Sequence, residues 1–383
     1  MTPLLTLALA TTLSGVCTNN DPAPPNTERT VVRVHYPFTR ADVVKLKSSP
    51  AQEWVQDTDT SEKYTGLFCA FVPISNATKK LQVRLYRNEL ASRGAMYPVD
   101  RGATIDTYPY FTTDAGQLMT VFPAFHSNLL DNDRTIWAWL PAGYTENPLQ
   151  RYPVIYMHDG RNLFDAALSI TGDEWEVDEA VDAGIASGKV AEAIVVFVDR
   201  TAQRQSEYTP VSDPNFPGVT PLGDLYARML VEELKPRIDT TLRTRTDAAN
   251  TGIVGSSLGG LISVYTALRY PQVFGRVGAL SPSVFWGNRF IIGAVNASPA
   301  PQSFARVYVD EGANEGAVYA LALTDAFRSV GYVDGTSLEY VYEEGGYHTE
   351  PTWARRMPGV LNTLFPGRAS DISRAPGELS TAP

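Results

Sequence analysis

Thr251-Gly252-Ile253-Val254-Gly255-Ser256-Ser257-Leu258-Gly259-Gly260 passes from an apolar run through a cluster of small residues into a helical stretch over 258–270. Strand, sharp turn and helix in that order are the setting in which G-x-S-x-G lifts a serine hydroxyl above a sheet edge, and Ser257 fills the serine position. Small residues have a reason there: the turn is strained, and a side chain at Gly255 or Gly259 is expected to meet the neighbouring strand or helix. The helix that follows aims its first N–H groups at developing negative charge. An ordinary turn with small residues by chance is the competing reading, and the joint match of spacing and context favours a nucleophile.

To either side, short apolar runs alternate with helical stretches. Strands are predicted over 135–140, 153–158, 193–199, 251–255, 276–280, 306–310 and 337–342, and helices over 174–186, 223–238, 258–270, 317–330 and 350–364. Continuous apolar strands separated by helices make a parallel sheet covered on both faces, which is α/β class and, with the serine turn inside it, an α/β-hydrolase fold over 125–365. From 31 to 124 the pattern is period two or short and β-rich, as in 31–36, 67–72 and 81–86, and predicts a small all-β sandwich. Two domains suit a chain of 383 residues.

Residues 1–17 are apolar and small, with a Leu/Ala run too short to span a bilayer, and read as a signal peptide for a secreted or periplasmic protein. A Pro- and Asn-rich linker is expected over 18–30 and a mobile tail over 366–383. Only Cys17 and Cys69 are present, so loss of the leader would leave Cys69 without a partner, with no disulfide framework and no Cys-based metal site. A net charge of −10 gives no electrostatic reason to expect nucleic acid or an anionic membrane as partner, and no other stretch suggests membrane insertion.

A serine hydroxyl needs a base, and histidine is the side chain whose pKa suits that task near neutrality. The chain has His35, His126, His158 and His348. His35 falls in a strand of the N-terminal region and His126 in the connector, where a structural or surface role is the plain reading. His158 ends a strand upstream of the nucleophile. His348 follows the last strand and completes the order Ser, acid, His, so it is the expected base. The acid should follow the strand before it, where Asp310, Glu311 and Glu315 are the candidates.

The segments Tyr152-Pro153-Val154-Ile155-Tyr156-Met157-His158-Asp159-Gly160-Arg161-Asn162, Glu207-Tyr208-Thr209-Pro210, Gly255 to Gly260, Ser281-Pro282-Ser283 and Gly345-Gly346-Tyr347-His348 resemble the esterase family that contains esterase D, feruloyl and acetyl xylan esterases, enterochelin esterases and mycolyltransferases. The resemblance implies that the loop after His158 supplies one oxyanion N–H, from Gly160 or Arg161, and Leu258 the other. It also implies that the acid lies in a turn aligned with Gly312-Ala313-Asn314-Glu315, which places Glu315 ahead of Asp310. Trp175, Trp286, Arg200 and Arg204 lie at strand ends or loops on the same side and are candidates to line a substrate pocket for an aromatic or anionic acyl group.

The expected activity is cofactor-free and metal-free hydrolysis of a small-molecule or glycan ester, such as a feruloyl or acetyl carbohydrate, through an acyl-enzyme. A siderophore esterase, an acyltransferase and an inert glycan-binding protein are the alternatives.

Overall fold

In the computed structural model, residues 27–39, 42–49, 52–55, 66–76, 78–298, 304–316 and 319–368 are described. The expected leader lies outside them, as do residues 369–383 of the expected tail. Two units divide the chain: Met1–Phe111 with Glu146–Leu149, and Thr112–Thr145 with Gln150–Pro383.

In the first unit, β1 (Thr27–His35), β4 (Leu67–Ser75) and β8 (Thr104–Thr107) form one sheet. The second sheet holds β2 (Val44–Ser49), β3 (Gln52–Val55), β5 (Lys80–Arg87) and β6 (Leu90–Ala91), with β7 (Tyr97–Asp100) also paired to β5. Alternation does the packing: on β5, Val83 and Leu85 turn inward to join Val32, Val34, Phe68, Val72 and Leu46 in one core. This is the β-sandwich. The expected linker ends sooner than its composition suggests, because 27–30 already belong to β1 and Thr30 is buried, donating to the Asp100 carbonyl at 3.1 Å. Cys69 is disulfide-bonded with the leader residues present. Cys17, the other cysteine of the chain, lies outside the described residues.

The second unit is built on an eight-stranded sheet in the order β16-β15-β14-β13-β11-β12-β10-β9. Its strands are β9 (Gln117–Ser127), β10 (Asn132–Leu140), β11 (Val154–His158), β12 (Ile194–Val198), β13 (Thr251–Ser256), β14 (Arg276–Leu280), β15 (Arg306–Gly312) and β16 (Leu338–Glu343). The six from β11 onward pair in parallel, and β9 and β10 form an antiparallel edge. β11, β12 and β13 are buried at every position, as strands covered on both faces must be. The helices are α1 (Val177–Ala186), α2 (Arg204–Glu207), α3 (Gly223–Arg228), α4 (Lys235–Thr241), α5 (Leu258–Arg269), α6 (Trp286–Asn296), α7 (Ala320–Ser329) and α8 (Glu350–Leu364). From β11 the chain steps to β12 on one side and then returns past β11 to β13 on the other. Ligands bind in such sheets at the carboxyl ends of the strands where the winding reverses, and here those ends are His158 and Ser256.

Three elements differ from expectation. β9 pairs with β10 across a bulge and belongs to the large sheet, so the sandwich ends at Phe111 rather than near 124. The expected helix over 223–238 runs on to Thr241 and is interrupted by a π turn, Met229–Leu234, just before Pro236, which has no N–H to give the preceding turn. α6 was not expected: Gly287, Asn288 and Arg289 near its start are left-handed, which hides the helical periodicity. Among the described residues no helix is long and apolar enough to cross a membrane.

Candidate active site

Ser257 sits between β13 and α5 with φ 55° and ψ −123°, a conformation that costs a residue with a side chain about 1–3 kcal/mol. The surrounding backbone holds it there. Its N–H donates to the Leu280 carbonyl at 3.0 Å, and its carbonyl accepts from the N–H groups of Leu261 at 3.1 Å and Ser283 at 3.0 Å. The hydroxyl lies 3.2 Å from that of Ser283.

Of the two glycines expected to be required here, only Gly255 is: a Cβ on it would lie 2.7 Å from the Gly259 carbonyl carbon and 2.9 Å from the His158 ring. A Cβ on Gly259 would meet nothing nearer than 3.5 Å, an ordinary contact. Gly255→Ala should therefore destabilise the fold by about 1–3 kcal/mol in denaturant melts, and Gly259→Ala by clearly less. Equal losses would contradict this account of the turn.

Ser257 and His348 line one cavity of about 220 Å³ together with Trp175, Trp353, Arg200 and Arg204. Among the described residues no hydrogen bond joins Ser257 to His348; the serine hydroxyl is held by Ser283. His348 lies in the turn between β16 and α8, its ring edge-on to Trp353 at 5.0 Å. Its Nδ1 is 3.5 Å from Oε2 of Glu315, whose side chain is fully buried. Oε1 of Glu315 accepts from Arg356 at 2.9 Å, whereas Oε2 has no hydrogen-bond partner of ordinary geometry. Burial alone would raise the pKa of Glu315; His348, Ser281 and Arg356 outweigh it and hold the carboxyl below its usual value.

The other two acids have different neighbours. Asp310 is fully buried on β15, where Oδ1 accepts from the Ser281 N–H at 2.9 Å and from Arg356 at 2.8 Å. Burial pushes it up to about 7, against the pull of Arg356. Glu311 turns the opposite way. It accepts from the Tyr340 hydroxyl at 2.6 Å and from the N–H groups of Ala320 and Leu321, so it caps the start of α7.

After β11, Asp159 adopts a left-handed conformation and residues Gly160–Asn162 make a single 3-10 turn. Arg204 holds Asp159 through two bonds, one of 2.7 Å, and the Asp159 N–H donates to the Tyr208 hydroxyl at 3.2 Å. Arg161 forms a two-bond pair with Asp199, at 2.9 and 2.6 Å. Arg161 and Leu258, from the two segments expected to carry oxyanion donors, line a second cavity of about 620 Å³, which Arg200 and Arg204 also line. A first helical turn leaves its N–H groups without intrahelical acceptors, and Leu258 opens α5.

His158 lies beneath this loop, fully buried, with Nδ1 2.9 Å from the Tyr226 hydroxyl; burial lowers its pKa to about 3 and keeps the ring neutral. His35 and His126 pair with Asp106 and Asp133, and neither lines these two cavities.

Of the residues expected to meet substrate, Trp175 is buried against Trp353 at 5.2 Å and lines the serine cavity. Trp286 lines neither cavity. It is buried in the core with its N–H on the Val211 carbonyl at 2.7 Å and its ring on Phe216, so the expectation of a pocket residue does not hold for it. Ser283 was noted only within the Ser281-Pro282-Ser283 segment, without a role, and two residues of the site went unnoticed in the sequence: Trp353 and Arg356. The available signal for the last is an arginine on the apolar stripe that Trp353, Met357, Val360 and Leu361 mark on α8, where an unpaired charge has no place.

A family model described as "Putative esterase" matches residues 127–364. An endo-1,4-beta-xylanase/feruloyl esterase of Xylanibacter ruminicola is 25% identical over 245 residues, 63% of this chain and 30% of that one. An iron(III) enterobactin esterase of Dickeya dadantii is 27% identical over 266 residues, 67% of this chain and 52% of that one. This chain therefore spans about a third and about half of the length of these two relatives. The solved enterobactin esterase of Shigella flexneri, in the presence of enterobactin, is similar with a TM-score of 0.52 and 14% identity, covering 89% of this chain and 90% of the other, which is a likeness of fold. Since the family match runs from the last residue of β9 to the last residue of α8, the chain belongs to this esterase family.

Proposed function

We propose that the chain is a serine-dependent carboxylic ester hydrolase in which Ser257 is the nucleophile, His348 the general base and Glu315 the acid. The observation that carries the reading is the buried, unbonded Oε2 of Glu315 facing Nδ1 of His348 while His348 and Ser257 share a cavity. With Nδ1 turned to the carboxylate, Nε2 is left for the serine proton. The Ser257 hydroxyl turns away from Ser283 to His348, and its oxygen adds to the ester carbonyl as Nε2 takes the proton. N–H groups of Leu258 and of Gly160 or Arg161 receive the oxyanion. Collapse expels the alcohol, which leaves with that proton, and water repeats the sequence on the acyl-enzyme to release the acid and restore Ser257.

For the substrate, an acyl group bearing an aromatic ring, as in a feruloyl carbohydrate ester, suits a serine cavity walled by Trp175 and Trp353. One observation favours a second reading, an anionic siderophore ester. Arg161 and Arg204 are neutralised by Asp199 and Asp159, but the Arg200 side chain meets no carboxylate at ion-pair distance among the described residues and lines both cavities. The short apolar Leu/Ala run within residues 1–17 supports a secreted or periplasmic location.

Labelling with a fluorophosphonate, followed by turnover on short acyl, feruloyl and enterobactin-type esters, tests the proposal. Label on Ser257 with turnover of one ester class is the expected result, whereas no label and no turnover would remove the enzymatic reading.

A further inference from the structure

We infer that Arg356 is a positioning residue for this site: it grips one oxygen of Glu315 so that the other faces His348, while Trp353, one turn earlier on α8, braces the imidazole. The inference rests on the assignment of Ser257, His348 and Glu315 above.

The guanidinium is 3% exposed and nearly all its donors are used. Nη2 donates to Glu315 Oε1 at 2.9 Å; Nη1 donates to Asp310 Oδ1 at 2.8 Å and to the Ser281 hydroxyl at 3.0 Å; Nε donates to Glu343 Oε2 at 2.6 Å. The indole N–H of Trp353 donates to the same Ser281 hydroxyl at 3.0 Å, so both α8 side chains are pinned at one buried point. Glycines leave the space for the grip. A Cβ on Gly312 would lie 2.6 Å from Glu315 Oε1, and one on Gly346 would lie 2.6 Å from Arg356 Nη2. The fork makes four bonds from three separate nitrogens, to three carboxylates and the Ser281 hydroxyl, which the three donors on the single nitrogen of an ammonium cannot match.

A purely structural arginine would serve only to neutralise buried Asp310, and pH dependence separates the two roles. The charged and titratable groups around the fork are Asp310, with Tyr308 and Glu339 behind it, Glu315 with His348, and Glu343 with Arg355. Catalysis needs the His348–Glu315 pair without its shared proton. A buried cation beside the pair opposes proton uptake, so removing it raises the pH at which the acid limb of kcat/KM falls. Asp310 would protonate in the variant and offset part of the lost charge, which limits the rise to about 0.5–1 pH unit.

The experiment is kcat and KM against pH for wild type, Arg356→Met and Arg356→Lys on one soluble neutral ester, with melts and fluorophosphonate labelling of each. Arg356→Met should move the acid limb upward by that amount and lower the plateau kcat on the order of tenfold or more, with KM little changed. Arg356→Lys keeps the charge but not the fork, so its limb should stay at the wild-type position while kcat falls.

A folded Arg356→Met with the wild-type limb overturns the inference, whatever its rate. Should that variant fail to fold, Arg356→Lys carries the test, and an unchanged kcat overturns it. Wild type that is labelled and active beside unaffected variants discards the role of Arg356 alone. Wild type that is neither labelled nor active discards the catalytic assignment with it.

Discussion

Ser257→Ala should lower kcat on soluble esters on the order of 10⁴- to 10⁶-fold while leaving the fold intact. The substitution keeps the Cβ, so the strain at φ 55° is unchanged, and what is lost is one hydroxyl whose resting partner is Ser283. The rate that remains comes from the N–H groups around the oxyanion, which do not depend on the serine side chain. Ser256 is buried at the end of β13 and Ser283 lies across from the nucleophile, so alanine at either should cost far less, within about tenfold. Steady-state turnover with circular dichroism of each variant decides the matter. If Ser256→Ala were the variant that lost activity, the nucleophile would have to be reassigned.

The second large effect is expected at the acid. Glu315→Gln should lower kcat on the order of 10²- to 10⁴-fold, and Arg356 dictates why. The guanidinium can only donate, so it selects the amide oxygen of the new side chain and turns the NH₂ toward His348. Nδ1 must then accept, Nε2 must carry the ring proton, and the tautomer can no longer take the proton of Ser257. Glu311→Gln should keep nearly normal turnover and lose on the order of 1 kcal/mol of stability through the weakened α7 cap. Asp310→Asn should cost much less activity than Glu315→Gln, since Asp310 meets Arg356 and Ser281 rather than the imidazole. Normal turnover in Glu315→Gln beside a folded but inactive Asp310→Asn would move the acid to Asp310.

What the sequence made legible follows from how local each feature is. β11 to β15 are readable because a sheet covered on both faces writes each strand as a largely apolar run, and the nucleophile turn is readable because strand, serine and helix are contiguous. β9 carries a mixed edge-strand pattern, and nothing local says that it pairs with β10 rather than within the sandwich. α6 is hidden by three left-handed residues, and the left-handed Asp159 gives no sign of its bond to Arg204, 45 positions on.

The site divides along the same line. Glu315, Asp310 and Glu311 lie within six positions of one another, and only the direction of each side chain separates them. Strand alternation turns Glu311 to α7 and Asp310 to the opposite face, and the turn after Gly312 brings Glu315 to His348. Arg356 makes its decisive contact 41 positions away, across one helix and one strand, where no periodicity reaches.

The position of Arg356 and Trp353 on α8 also orders events in time. Along the growing chain, Ser257 and α5 are made early, but β14, with the Leu280 carbonyl that anchors the Ser257 N–H, and then α6, β15, α7 and β16 must all follow before α8, the helix proposed to brace base and acid, exists. On the proposed assignment, a nascent chain that stops short of 350 therefore holds the nucleophile Ser257 but neither Trp353 nor Arg356 to brace its base and acid. The step that arms the proposed site is then the packing of α8.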